Sequence, residues 1–183
     1  MMPLVFDDVL PDPHIYREAA LRLPFGDLHA GPVTFHNMVP VGPNPLSATL
    51  EHDLGLVTTF SAFRLSPEGQ DEPNFVHTDR DMGEWTALLF LNPDPPASDG
   101  TRFYRYRETG AIQSTAEDEA LLDELLDWHD LGQWECWHTV AASFNRCVVF
   151  PASYFHSRAL FRNWGTGQEA RLIQLAFGTG SLP

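Results

Sequence analysis

Apolar positions along this chain gather in short runs, rich in β-branched and aromatic residues and bounded by Gly, Pro, Asn or Asp. They read as strands over 56–65, 74–77, 85–92, 101–107, 145–150, 153–161 and 171–177. Helical spacing interrupts them twice. In "LPDPHIYREAALRLPF", Asp12 stands as an N-cap, Pro13 occupies the first helical position, and Ile15, Ala19 and Leu23 recur before a stop at Pro24. In "STAEDEALLDELLDWHDL", Ser114 and Glu117 form a capping box, with Leu121, Leu125 and Trp128 on one face of an acidic helix. The Pro- and Gly-dense stretch of 31–55 reads as loops and short edge strands. Nothing helical alternates with the strands as a parallel sheet would require, so the expected fold is mainly β, a sandwich or jelly roll. One inserted helix and one N-terminal helix complete it.

The length of 183 residues suits one domain over 1–183, and 43% hydrophobic residues supply a core. A formal charge of −14 argues against phosphate backbones and anionic membranes, so no nucleic-acid or membrane partner is expected. All 11 cationic residues are Arg, which removes mechanisms that need a P-loop or Schiff-base lysine. Cys136 and Cys147 have neither CxxC spacing nor further partners and read as reduced thiols, with Cys147 opening an apolar strand that would raise its pKa. The N-terminus carries no basic, apolar leader, and an intracellular, cytoplasmic location is expected.

Candidate chemistry centres on "NFVHTDRDMGEWTALLFLN" (74–92). Residues two apart on a strand point to one side, so His77 and Asp79 offer an imidazole and a carboxylate to one point. His156 in "VVFPASYFHSRAL" is the candidate third ligand, because two His and a carboxylate bind one face of an octahedral Fe(II) and leave three positions open. Asp81 is read as a turn residue. Arg171 heads the last apolar run, where its fork suits a carboxylate; the bland alternative is a pair with a surface Asp or Glu. Trp85, Trp134 and Trp137 read as core rather than pocket wall, and Asn145 and Arg146 as ligand-orienting or turn-closing residues.

In the order "HTD", "LLFLN", "DGTRFYRYRETG", "FNRCVVFPASYFHS" and "RLIQLAF", the chain resembles the Fe(II)- and 2-oxoglutarate-dependent dioxygenases. The likeness is greatest to their prolyl-hydroxylase-like branch and to a group of bacterial members with no assigned activity. The resemblance implies a double-stranded β-helix, with His77, Asp79 and His156 as Fe(II) ligands and Arg171 holding the distal carboxylate of 2-oxoglutarate. Arg158 and Arg162 are alternative anchors, since Arg171 lies farther from His156 than in many relatives. Phe90 stands where relatives carry a Tyr that contacts the co-substrate; Tyr104 supplies that hydroxyl or forms part of the barrel wall. Asp99-Gly100 replaces a common Gly-Gly pair, a change expected to matter little to the turn. Such enzymes use dioxygen and 2-oxoglutarate, release succinate and CO2, and usually hydroxylate a substrate, here a small molecule, amino acid or peptide. The competing expectation is a non-catalytic, cupin-like jelly roll that keeps a metal for stability.

Overall fold

The structure, a computed structural model, describes residues 1–30, 33–70, 76–115 and 130–183. The chain runs β1 (Leu4–Phe6), α1 (Pro13–Leu21), β2 (Gly26–Ala30), β3 (Val33–Pro40), α2 (Pro45–Leu54) and β4 (Val57–Ser66). It continues through β5 (Trp85–Phe90), β6 (Gly100–Tyr106), β7 (Trp134–Ala141), β8 (Cys147–Pro151), β9 (His156–Arg158) and β10 (Arg171–Thr179). One sheet has the order β1-β8-β5-β10-β4-β3-β2 and the other β7-β6-β9, with every pairing antiparallel. This is the mainly β jelly roll expected from the sequence.

The larger sheet is covered on both sides, which explains why β5 reads as an unbroken apolar run. On one face Trp85, Ala87 and Leu89 join Cys147 and Val149 of β8, Leu172 and Ala176 of β10, and the helix residues Ala20, Leu46 and Leu50. On the opposite face Leu88 and Phe90 meet Val148, Phe150, Ile173 and, from the smaller sheet, Phe103 and Val140. The strand period of two therefore sends alternate residues of β5, β8 and β10 into two apolar layers. A buried Gln174 crosses to the helices: its Oε1 accepts from the Tyr16 hydroxyl at 2.8 Å, while its Nε2 donates to Asn44 Oδ1 and Ser61 Oγ.

Several elements depart from the sequence reading. The stretch of 31–55, read as loops and short edge strands, contains β3 but also helix α2, whose N-cap Asn44 accepts from the Ser47 amide and whose end is Gly55 in the left-handed region. An Asn-Pro start and a Gly stop are helix punctuation, but among so many Pro and Gly they read as loop. Strands β1, β2 and β7 were likewise not foreseen. The expected run 153–161 shrinks to three residues in β9; of the expected strand 74–77, residues 74 and 75 lie outside the described residues and His77 forms an isolated bridge to His156. The acidic helix falls mostly on residues 116–129, outside the described residues. Trp85 and Trp134 are buried in core clusters, and Asn145, at φ 62°, uses its side chain to hold both the amide and the carbonyl of Leu10.

Candidate functional site

His77, Asp79 and His156 meet at one end of the space between the sheets. One ligand atom from each lies within 4.8 Å of the others. The convergence arises from pairing between distant segments rather than from alternation along one strand. His77 and His156 exchange both backbone hydrogen bonds at 2.9 Å, and the Asp79 amide donates to the Ala152 carbonyl at 2.8 Å. His77 Nε2 is 3.7 Å from Asp79 Oδ1, and His156 Nε2 is 3.2 Å from Asp79 Oδ2. His156 Nδ1 sits 3.0 Å from the Tyr154 carbonyl, which favours a proton on Nδ1 and leaves the Nε2 lone pair to serve as a metal ligand. The Thr86 hydroxyl donates to Asp79 Oδ2 at 2.9 Å and fixes its orientation.

Burial works to raise the Asp79 pKa, but the charges and hydrogen bonds of His156, the charge of His77 and the Thr86 hydroxyl outweigh it, and the value falls to about 2. An ionised carboxylate held between two imidazoles is the donor set that a borderline divalent ion prefers. Asp81 is exposed on the following turn, matching its reading as a turn residue.

The three side chains share a cavity of about 160 Å³. Arg171, Ile173, Leu175 and Phe177, alternate residues of β10, line it in succession. Arg64, Arg158 and Thr101 also line it, whereas Arg162 and Tyr104 do not. Tyr104 is buried beside Val76, Trp134 and Phe155, with its hydroxyl 3.0 Å from Ser157 Oγ, so it is a wall aromatic one residue removed from the cavity.

Arg171 is 4% exposed and its Nε lies 3.1 and 3.0 Å from the two oxygens of Asp99, itself 2% exposed. Asp99 also accepts from Trp164 Nε1 at 3.2 Å and from the Gly100 amide at 2.7 Å. The Asp99-Gly100 pair thus does more than turn the chain. Gly100 is required where it stands, since a Cβ there would lie 2.1 Å from the Val140 carbonyl oxygen, and Asp99 clamps the guanidinium. With Nε engaged by Asp99, the part of Arg171 left to address the cavity is its pair of terminal nitrogens.

From the sequence Asp99 reads only as a turn residue, and Arg64 and Thr101 do not stand out. Thr101 is 1% exposed, and its hydroxyl has no hydrogen-bond partner among the described residues although it borders the cavity. A buried orphan hydroxyl of this kind calls for a polar atom from a ligand or water. Only the position of Thr101 beside the Asp-Gly turn gave a sequence signal.

A family profile described as a family of unknown function, DUF6445, matches residues 45–164, more than half of the chain. The chain belongs to this family. No curated protein matches it significantly. Solved structures with the same fold include the non-heme α-ketoglutarate-dependent epimerase SnoN from nogalamycin biosynthesis, at 17% identity and TM-score 0.61, covering 95% of this chain and 76% of that one. A Pseudomonas putida prolyl-4-hydroxylase is 17% identical with TM-score 0.56, covering 96% and 92%. EvdO2 from Micromonospora carbonacea var. aurantiaca, solved with 2-oxoglutarate, is 10% identical with TM-score 0.57, covering 99% and 88%. At such identities the likeness establishes a shared fold, the jelly roll described above. Among the described residues, no helix is long and apolar enough to cross a membrane.

Proposed function

We propose that this chain is an Fe(II)- and 2-oxoglutarate-dependent oxygenase that hydroxylates an organic substrate, and that residues 1–183 form the single domain that does so. His77, Asp79 and His156 hold the metal, and Arg171 binds the distal carboxylate of the co-substrate. The observation that carries this reading is the meeting of two imidazoles and one ionised carboxylate in a cavity that Arg171 also lines. A metal kept for stability alone has no use for a buried arginine aimed along the same strand face.

The residues present fit both groups. The donor set is that of a facial triad with open positions, and the Tyr154 carbonyl and the Thr86 hydroxyl supply the outer contacts that orient such ligands. The orphan hydroxyl of Thr101 and the terminal nitrogens of Arg171 suit a carboxylate. When bound, Fe(II) and 2-oxoglutarate supply the activation of dioxygen that hydroxylation needs. The chain's own part is to hold the ligands with His156 Nδ1 and Asp79 Oδ2 already engaged, to keep Asp79 ionised, and to present an anion subsite at a fixed distance. The Asp99 pairing compensates the Arg171 charge and sets the plane of its fork before any ligand arrives.

Anaerobic addition of Fe(II) and 2-oxoglutarate tests the reading through the weak visible charge-transfer band of a metal-bound keto acid. We expect the band in the native chain, its loss together with metal binding in His77→Ala and His156→Ala, and weakened 2-oxoglutarate binding with metal retained in Arg171→Ala. A folded native chain that binds neither Fe(II) nor 2-oxoglutarate would overturn it.

A further inference from the structure

Beside the candidate metal site the cavity has a second, apolar wall, in which Phe177 is buried and Leu28, Phe35, Phe60 and Met82 keep exposed surface. Leu28, Phe35, Phe60, Met82 and Phe177 all line the cavity, yet among the described residues none of them belongs to the three apolar clusters that form the interior. Leu28, Phe35 and Phe60 are half-buried, and Met82 is 41% exposed. Apolar surface of this kind, turned into a concavity rather than packed away, is the usual mark of a binding wall.

Strand register places Phe60 and Phe177 of this wall beside the triad. Phe177 of β10 is paired with Thr86 of β5 on one side and with Phe60 of β4 on the other. Directly paired residues project from the same face, and the Thr86 hydroxyl is the one that holds Asp79. The Phe60 and Phe177 rings are 6.1 Å apart, next to the site where a bound metal would act. Arg171 lines the same cavity from the first position of β10, on the same face as Phe177. Arg64, also on the lining, carries its guanidinium carbon 5.5 Å from the centre of the Phe35 ring.

We propose that the substrate is a small molecule whose reacting portion is hydrocarbon, aliphatic or aromatic, received by Leu28, Phe35, Phe60, Met82 and Phe177. The inference rests on the oxygenase reading, because that reading makes the triad the point of reaction. An apolar side chain of a polypeptide offers the same hydrocarbon chemistry, but its flanking amides would meet phenyl and thioether groups that cannot hydrogen-bond to them.

The test uses the native chain with Mn(II) and 2-oxoglutarate, and toluene, ethylbenzene and propylbenzene as probes followed by ligand-detected NMR. Each added methylene should tighten binding about three- to fourfold, and Mn(II) should speed relaxation of the probe protons. Met82→Ser, at an exposed position that the fold does not need, and Phe60→Ser should each weaken propylbenzene, Phe60→Ser by about tenfold. Ile15→Ser, which removes an exposed apolar residue on α1, should leave it unchanged. Affinity indifferent to chain length, or lost equally in Ile15→Ser, would overturn the assignment. N-acetylphenylalaninamide bound as tightly as toluene would move it to a peptide side chain and overturn it as well. If the probes bind with the expected chain-length dependence but Mn(II) does not bind, the oxygenase reading fails and the substrate assignment with it; if Mn(II) and 2-oxoglutarate bind and the probes do not, only the substrate assignment fails.

Discussion

Replacing Asp99 by Asn leaves the Arg171 guanidinium in a site where the arginine is 4% exposed, with no counter-charge in contact among the described residues. Replacing Arg171 by Met leaves the Asp99 carboxylate, among the described residues, with Trp164 Nε1 and the Gly100 amide as donors. Stranding one member of a buried pair costs about 3 to 5 kcal/mol, because the remaining charge has been taken out of water without its partner. For a chain of this length that corresponds to a fall in Tm of roughly 6 to 20 °C. The double variant Asp99→Asn/Arg171→Met carries no stranded charge and should be more stable than either single one. Urea denaturation of the four forms gives the coupling. The Asp7–Arg146 pair, whose side chains are 58% and 25% exposed, serves as the internal control and should cost about 0 to 1 kcal/mol when Asp7 is replaced by Asn. Single variants at Asp99 and Arg171 that cost no more than this control would show the pair to be screened by solvent, and the clamp on Arg171 would lose its basis.

Thr86→Val removes the hydrogen bond to Asp79 Oδ2 with little change of volume and should weaken Fe(II) binding about 10- to 100-fold in anaerobic calorimetry; unchanged affinity would mean that the two imidazoles alone fix the carboxylate. The Asp79 pKa is depressed in the folded chain to about 2, below its unfolded value near 4, so its contribution to metal-free stability is present above about pH 4 and lost as pH falls toward 2. That contribution is on the order of 2 kcal/mol, and Asp79→Asn should flatten the stability profile in that window, as acid titration of unfolding will show. Burial pushes the Cys147 thiol up to about 12, while Cys136 is exposed, so alkylation of the native chain at pH 8 should stop at one label per chain, on Cys136. Two labels without unfolding would contradict the burial of β8.

What the sequence determined by itself was the material of the fold and the identity of the triad. Short apolar runs bounded by turn residues dictate strands, and the continuous run of β5 dictates a strand covered on both faces, because both statements follow from local periodicity. His77, Asp79 and His156 were legible because HxD, an apolar strand and a later His occur in a fixed order. Their meeting was a decision of tertiary structure: His77 reaches His156 through an isolated bridge between segments far apart in the chain, and Asp79 is placed by the Ala152 carbonyl, not by strand alternation. Helix α2 stayed hidden because Asn44, Pro45 and Gly55 serve equally as loop residues until Leu46 and Leu50 find an apolar sheet to cover. Asp99 looked like an ordinary turn residue for the same reason; only the return of β10 alongside β5 brings Arg171 to it from 72 residues away. Local sequence encodes propensity and pattern, but partnership between distant side chains depends on which strands lie side by side, and that is settled by burying both faces of the larger sheet at once.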